Sequence, residues 1–214
     1  AFPNRVAASS RHIRMGGGEL PLISLGKSGG TLRTDPDLPS IYIATDNYTQ
    51  TLSFEHLGSI EFDSDNQHEL DRTYVYENGG VIVEELNRSM MRFLPSITFK
   101  RFNNGTKAVT MRIINMSLED ETVIGDGIAN LELVFLSEDP VFSDDVINIS
   151  LTIASNHSNA WKDFLLTNAR NAGFDVSEFD VTSSKNVKFD LWGKVKLTIT
   201  ELRMDVKIDP VASG

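Results

Sequence analysis

The chain contains no cysteine among its 214 residues. It therefore has no disulfide bond, no thiolate nucleophile and no cysteine-ligated zinc or iron–sulfur centre. Long apolar runs are also missing, since none approaches the roughly 18–20 residues that a membrane-spanning helix needs. Basic residues are outnumbered, with 20 Lys and Arg against 30 Asp and Glu, and the formal net charge is −10. This balance argues against a nucleic-acid partner, because contacts with phosphates need a basic patch.

Sequence signatures of catalysis are missing as well. The four histidines are His12, His56, His68 and His157. None of them has a ligand partner two to four residues away, so the spacing of a zinc site is not met. The chain has no Gly-x-Ser-x-Gly nucleophile elbow. We therefore expect a protein that is not an enzyme and that holds no cofactor.

Short runs of alternating apolar and polar residues dominate the stretch from Leu57 to Leu136. Such runs, separated by turn residues, predict serial β-strands. Asn78-Gly79 lies between two of these runs, and Asn103-Asn-Gly105 lies between the next two. Asn-Gly between strands predicts a tight hairpin, because both residues tolerate positive φ. The stretch is therefore predicted to form an antiparallel meander.

One amphipathic helix is predicted from about residue 159 to residue 172. Its apolar face consists of Trp161, Phe164, Leu165, Ala169 and Ala172. This spacing places the five side chains on one side of a helix, which must then pack against a sheet. Ser158 or Asn156 is expected to cap the N-terminus, and Gly173 is placed to end the helix in a left-handed conformation.

The remaining segments complete a mainly β, α+β fold of antiparallel sandwich or meander type. We expect strands at 131–136 and 146–153 around an acidic loop at 137–145, and a β-hairpin towards the C-terminus. Residues 116–127 are predicted to form a long loop, and residues 84–91 a short helix or a wide turn. The best candidate for a domain boundary lies near Pro140, although no clear linker divides the chain.

The N-terminus is predicted to differ from the rest of the chain. Residues 1–18 form either a tail or a helix remnant, because residues 6–15 favour a helix and the three glycines that follow would end it. Residues 19–214 are predicted to form a single β-rich exterior domain.

Asn-x-Ser/Thr triplets provide six candidate modification sites. They occur at Asn47, Asn87, Asn104, Asn115, Asn148 and Asn156. Chance alone gives roughly two to three such triplets in this composition. One interpretation is N-glycosylation of an exported protein. The other is that Asn, Ser and Thr simply concentrate in turns and strand ends.

Two further classes of site are open on the residue types alone. Calcium favours oxygen-rich acidic loops, and such residues occur at Asp63, Asp65, Asp120, Asp126, Asp144 and Asp145; the alternative is that these loops are simply solvated. Aromatic side chains that can stack on sugars are Tyr42, Tyr48, Tyr74, Tyr76, Trp161 and Trp192. The alternative is that they pack in the core or pair across strands. A hydrolase using loop carboxylates is a third reading, but the spacing selects no particular pair.

Several short motifs, taken in order, resemble a known group of proteins. They are Leu57-Gly-Ser-Ile-Glu-Phe62, Tyr76-Glu-Asn-Gly-Gly-Val-Ile82, Ser89-Met-Met91 with Pro95, Met111-Arg-Ile-Ile-Asn115, Gly125-Asp-Gly127 and Asn159-Ala-Trp-Lys-Asp-Phe164. Over roughly residues 20–208 the chain resembles an uncharacterised group of archaeal cell-surface proteins similar to type IV pilins. Such proteins look like an N-terminal hydrophobic anchor helix followed by a β-rich exterior domain.

This resemblance implies an extracellular, membrane-anchored glycoprotein of archaea without catalytic residues. It would serve in a surface filament, an adhesion device or a pseudopilus. Its partners would be other copies or related subunits and the membrane, both reached through the anchor helix, which is missing from these 214 residues. The alternative function is an exported carbohydrate- or calcium-binding β-sandwich module.

Overall fold

The computed structural model describes residues 8–14, 29–65, 71–86, 88–125 and 128–211, the first of these ranges by its backbone. Within these ranges the chain forms fourteen β-strands and one helix. The strands are β1 (Ala8–Arg14), β2 (Gly29–Asp35), β3 (Ser40–Thr45), β4 (Tyr48–Phe54), β5 (Ser59–Asp65), β6 (Arg72–Glu77), β7 (Gly80–Glu85), β8 (Arg88–Phe93), β9 (Ile97–Arg101), β10 (Lys107–Ser117), β11 (Thr122–Gly125), β12 (Ile128–Ala154), β13 (Phe179–Ser183) and β14 (Asn186–Val211). The helix is α1 (Ser158–Asn171), and no helix in the described ranges is long and apolar enough to cross a membrane.

The strands form two sheets. The large sheet has the order β4-β3-β12-β14-β10-β9, with β1 beside β12 and β13 beside β14. The small sheet has the order β11-β2-β5-β6-β7-β8. The meander predicted over Leu57–Leu136 is formed only in part, by β5 to β8, because β9 and β10 pair with each other in the large sheet. The mainly β fold with one packed helix is thus confirmed. One strand pair departs from the antiparallel expectation, because β10 and β14 run parallel and are joined by a long connection.

Two very long strands replace several shorter predicted elements. β12 spans 27 residues and β14 spans 26, and they pair with each other along nearly their whole length. The prediction of an acidic loop at 137–145 is therefore wrong. The predicted hairpin towards the C-terminus is present, because β13 and the first part of β14 pair antiparallel across a short turn. Register shifts near Pro140 and at two other positions absorb the irregular residues as β-bulges, so the strand continues through them.

Three smaller predictions are also corrected. Residues 88–93 form β8, because they pair with β7 after a turn at Leu86, whose φ is 51°. Within the predicted loop at 116–127, residues 122–125 pair with β2 as β11. Residues 8–14 form β1 instead of the expected helix remnant, because the edge of β12 supplies backbone partners that override a weak helical preference.

The helix packs on one face of the large sheet. Trp161, Leu165 and Ala169 are fully buried there, as the periodicity predicted. Gly173 has a φ of 77° and ends the helix as expected. A second core lies between the two sheets, where Leu32 and Ile60 pack with side chains of β10, β12 and β14.

Candidate functional site

The β6–β7 hairpin and the start of α1 are joined by a buried carboxylate. Glu77 is only 2% exposed. Its Oε2 accepts hydrogen bonds from Trp161 Nε1 at 2.8 Å and from Ser155 Oγ at 2.7 Å. Burial raises the pKa of Glu77 above its usual range, and these two hydrogen bonds partly oppose the shift. The hairpin and the helix are thus fixed to each other through one polar contact inside the core.

The turn of this hairpin is shaped for packing. Asn78 and Gly79 have φ angles of 44° and 81°, which confirms the predicted Asn-Gly turn. The Asn78 side-chain oxygen accepts a hydrogen bond from the backbone of Ile114 at 2.8 Å. A Cβ on Gly79 would lie 2.9 Å from the Ile114 side chain. The turn is therefore part of the scaffold that seats the small sheet against β10.

The helix start differs from the prediction. The capping residue is His157, and its side chain makes no capping hydrogen bond, so neither Ser158 nor Asn156 is the cap. Ser155 instead accepts a hydrogen bond from the His157 backbone while it donates to the Glu77 carboxylate. His157 Nδ1 lies 3.5 Å from Glu84 on β7. Contacts with the hairpin thus take the place of a local cap.

Beside the contact between Glu77 and Trp161 lies an apolar groove, along an edge of the small sheet. β8 is the outermost strand there and pairs with β7 on one side. A groove of about 240 Å³ separates β8 from α1, with Met91 and Phe164 among its lining residues. On and beside β8, Met90 is 50% exposed, and Phe93 and Leu94 are each 66% exposed. An exposed apolar strand edge of this kind marks a candidate interaction surface.

The exposed charged side chains of β8 are positive. Arg88 and Arg92 are both exposed on β8. A contrasting segment lies on β12 from residue 136 to residue 145, where Leu136 and Val141 are exposed apolar residues. The exposed carboxylates of that segment are Glu138, Asp139, Asp144 and Asp145. The chain thus carries one basic apolar edge and one acidic apolar segment.

The described acidic residues that were proposed for calcium lie on different elements: Asp63 on β5, Asp120 before β11, and Asp144 with Asp145 on β12. Within the described residues, no three carboxylates or histidines are placed to hold a metal ion. Asp63 accepts a hydrogen bond from Thr73 at 2.6 Å and lies 2.9 Å from Arg33. Asp144 accepts a hydrogen bond from Tyr48, which lowers the pKa of that carboxyl. Asp126 and the side chain of Asp65 lie outside the described residues, so calcium binding stays a prediction.

A wide cleft lies at one end of the small sheet. It has a volume of about 640 Å³, and its lining includes Asp63, Asp71, Arg72, Glu84 and Glu85. Arg72 lies 3.4 Å from Glu85, so two of these charges are paired with each other.

The Asn-x-Ser/Thr triplets fall into different environments. Asn47, Asn104 and Asn156 are exposed. The side-chain nitrogen of Asn115 donates to Glu201 at 2.8 Å, and that of Asn148 donates to Asp46. Asn87 lies outside the described residues. Whether any of the six carries a glycan stays a prediction.

The aromatic residues separate into buried and exposed groups. Trp161 is completely buried, as its helical periodicity predicted, whereas Trp192 is 44% exposed. Tyr48 and Tyr74 are 39% and 37% exposed. Tyr42 and Tyr76 are partly buried.

The two histidines whose side chains the structure describes have different acidic neighbours. His56 lies 3.3 Å from Asp37, and His157 lies beside Glu84. His68 and the side chain of His12 lie outside the described residues.

Sequence reasoning missed two features of the site. It treated Tyr76-Glu-Asn-Gly79 and Ala160-Trp161 as separate structural motifs, and the structure brings them together at Glu77. A glutamate at the end of an apolar strand, directly before an Asn-Gly turn, was the available signal. The second feature is the β8 edge, because a short helix or a wide turn is predicted for residues 84–91.

The fold and site define a two-sheet, mainly β protein with a helix locked to a hairpin and an exposed strand edge beside it. A family model matches residues 23–207, so the chain belongs to the family of unknown function DUF7289. The chain matches no curated protein and no solved structure.

Proposed function

We propose that this chain is the exterior domain of a membrane-anchored, pilin-like protein of the archaeal cell surface, and that it acts without catalysis. Its role is to present a rigid β body and to contact neighbouring subunits in a filament, an adhesion device or a pseudopilus. The observation that carries the proposal is the apolar edge of β8. The resemblance of the motifs to pilin-like surface proteins supports the setting.

The exposed edge fits a protein that works in an assembly. Met90, Phe93 and Leu94 lie within five residues of each other and are half or more exposed. Contiguous exposed apolar side chains of this kind mark interaction sites on soluble proteins. A subunit that is always beside another subunit has a use for an apolar edge, since burying it drives association.

We assign this edge to contact with a second copy of the chain. Arg88 and Arg92 on β8 complement the acidic residues at 136–145 of β12, which also carry exposed apolar side chains. Charge complementarity of this kind fixes register and speeds association. Because the two surfaces differ, each subunit keeps one surface free after the first contact. Such a heterologous contact builds open chains of subunits, unless the rotation that relates neighbouring subunits closes the chain into a ring.

Sedimentation of the chain over a range of concentrations tests the contact. Arg88→Glu/Arg92→Glu should abolish concentration-dependent association, and so should Glu138→Lys/Asp145→Lys. Mixing these two variants should restore association, because the unchanged surface of each complements that of the other and the two charge-reversed surfaces also complement each other. Lys100→Glu/Lys185→Glu is the matched control, with the same charge change at two exposed positions outside both surfaces. A wild-type chain that stays monomeric at about 1 mM would overturn the assigned contact.

A separate test of the membrane anchor is to read the coding sequence of the gene. The coding sequence upstream of Ala1 is expected to encode a segment of about twenty apolar residues that holds the protein in the membrane. Its absence would overturn the anchored, pilin-like assignment whatever the outcome of the sedimentation experiment.

The second candidate function is that of an exported carbohydrate- or calcium-binding module. The exposure of Trp192 favours the carbohydrate form of this proposal, since an aromatic ring open to solvent provides a surface for stacking.

A further inference from the structure

Trp192 lies at a bulge between the two longest strands. Leu191 pairs with Ile149 and Lys194 pairs with Ile147, so Trp192 and Gly193 together oppose Asn148. Gly193 and Asn148 both have positive φ, at 89° and 50°. Bulges of this kind re-aim a side chain out of the regular ladder.

The backbone on either side of the Trp192 ring is held firmly. The Trp192 amide donates to the Glu178 carbonyl at 2.8 Å, and the Trp192 carbonyl accepts a hydrogen bond from Lys107 Nζ. Lys107 is only 6% exposed, and its ammonium also lies 3.3 Å from the Glu178 carboxylate. On the next residue, the Gly193 amide donates to Asn148 Oδ1 at 2.6 Å. A charge pair with a buried lysine and an αL asparagine therefore fix the backbone that carries the exposed indole.

A polar depression of about 350 Å³ lies beside this ring. Ala44, Ser150 and Asp190 line it and stand in register across β3, β12 and β14. Two of these three side chains are small, which leaves room above the sheet. Lys188 also lines the depression and donates to Asp190 at 2.8 Å.

We infer that this depression is a binding site for a neutral sugar. A pyranose ring has an apolar C–H face that stacks on an indole and hydroxyls that bond to carboxylates, hydroxyls and amines. Trp192 supplies the stacking surface, and Asp190, Ser150 and Lys188 supply the polar partners. An acidic sugar is disfavoured, because Asp46 lines the same depression and the carboxylates outnumber the one ammonium group. The fixed bulge lowers the ordering cost of binding.

This inference does not depend on the anchored, pilin-like assignment, and it gives the carbohydrate-binding alternative a site. In a surface protein the depression would serve adhesion to a glycan. A protein that does not bind sugar would not contradict the proposed anchor or the proposed subunit contact. A failed test of the anchor or of the subunit contact would likewise not contradict the sugar site.

Titration with defined oligosaccharides tests the site. The probes are neutral tetrasaccharides of glucose, mannose, galactose and N-acetylglucosamine, with a tetrasaccharide of glucuronic acid as the acidic comparison. The protein has two tryptophans, and Trp161 is completely buried, so acrylamide quenching of fluorescence reports Trp192. At least one neutral probe should protect Trp192 from quenching and should bind measurably by calorimetry.

Variants then locate the binding. Trp192→Ala should weaken binding by about tenfold or more, and Ser150→Tyr should weaken it by filling the depression while the ring stays in place. Tyr74→Ala, which removes an aromatic ring of similar exposure from the small sheet, is the control and should bind like the wild type. The site is overturned if no neutral probe binds up to about 10 mM. It is equally overturned if Trp192→Ala binds as tightly as the wild type.

Discussion

The carboxylate of Glu77 accepts a hydrogen bond from the indole nitrogen of Trp161 across 2.8 Å, between residues 84 positions apart in sequence. Both residues are buried, so water cannot replace either partner. The contact fixes α1, which packs on the large sheet, to a hairpin of the small sheet. Because the groove beside β8 has α1 as one wall, the same contact also sets the shape of the proposed interaction surface.

Replacement of Glu77 by alanine should destabilise the protein by about 2–4 kcal/mol, because Trp161 Nε1 and Ser155 Oγ would lose their acceptor inside the core. Glu77→Gln keeps an acceptor of similar size and should cost about 1 kcal/mol or less at neutral pH. Urea unfolding followed by fluorescence measures both. Glu55→Ala, at an exposed position, is the control and should change the free energy of unfolding by at most about 0.5 kcal/mol. Equal losses of stability in Glu77→Ala and Glu77→Gln would show that the hydrogen-bond acceptor at residue 77 does not determine the stability.

The stability contributed by Glu77 should depend on pH in the direction opposite to that of a paired surface carboxylate. Burial raises its folded pKa above the ordinary 4.5, so the folded state binds more protons than the unfolded state between the two values. The contribution of Glu77 to the free energy of unfolding therefore falls as pH rises between these two pKa values.

Comparison of the wild type with Glu77→Gln isolates this effect. Glu178 acts in the opposite direction, since hydrogen bonds from the Asp175 backbone and then from Lys107 lower its pKa, but it is common to both proteins and cancels. The stability of the wild type relative to the Gln variant should increase as pH is lowered from 8 towards about 4.5. A pH-independent difference would contradict the raised pKa.

Two glycines with the same backbone angle separate conformational strain from packing. Gly79 and Gly105 both have φ of 81°. A Cβ at Gly105 meets nothing within 4 Å, whereas one at Gly79 lies 2.9 Å from Ile114 Cδ1. Gly105→Ala should therefore cost about 1–2 kcal/mol for the left-handed backbone alone. Gly79→Ala should cost about 1–3 kcal/mol more, because the core must shift. Thermal or urea unfolding measures the difference, and equal costs would mean that Ile114 moves freely.

Sequence patterns predicted those features of the fold that depend on residues close together in sequence. The spacing of Trp161, Phe164 and Leu165 predicted the buried helix face, and the Asn-Gly pairs predicted the turns, because each depends on neighbours in sequence. The acidic residues of β12 were assigned to a loop, since the bulges that let a strand pass through Pro140 depend on pairing with β14 about sixty residues away. The sequence around Glu77 does not indicate that Trp161 is its hydrogen-bond partner. Trp192 was already a candidate sugar-stacking residue, but its bulge arises only from strand pairing.

Hydrogen bonding should decide which asparagines carry glycans in protein produced by its native host. Attachment uses the side-chain nitrogen, and Asn104 and Asn156 are exposed. At Asn115 that nitrogen donates to Glu201, and at Asn148 both side-chain groups are bonded, to Asp46 and to the Gly193 amide. Removing the Asn148 bonds would also release the bulge that holds Trp192.

Mass spectrometry of proteolytic peptides should therefore find modification at Asn104 and Asn156 and none at Asn115 or Asn148. Asn104→Gln should remove the added mass from its own peptide alone, which controls for the assignment. Asn148→Gln should leave the glycan mass unchanged, yet it should raise acrylamide quenching at Trp192, because the Gly193 amide loses its acceptor. A glycan on Asn148 would contradict the closed bulge, and a fully unmodified chain would contradict the glycoprotein assignment.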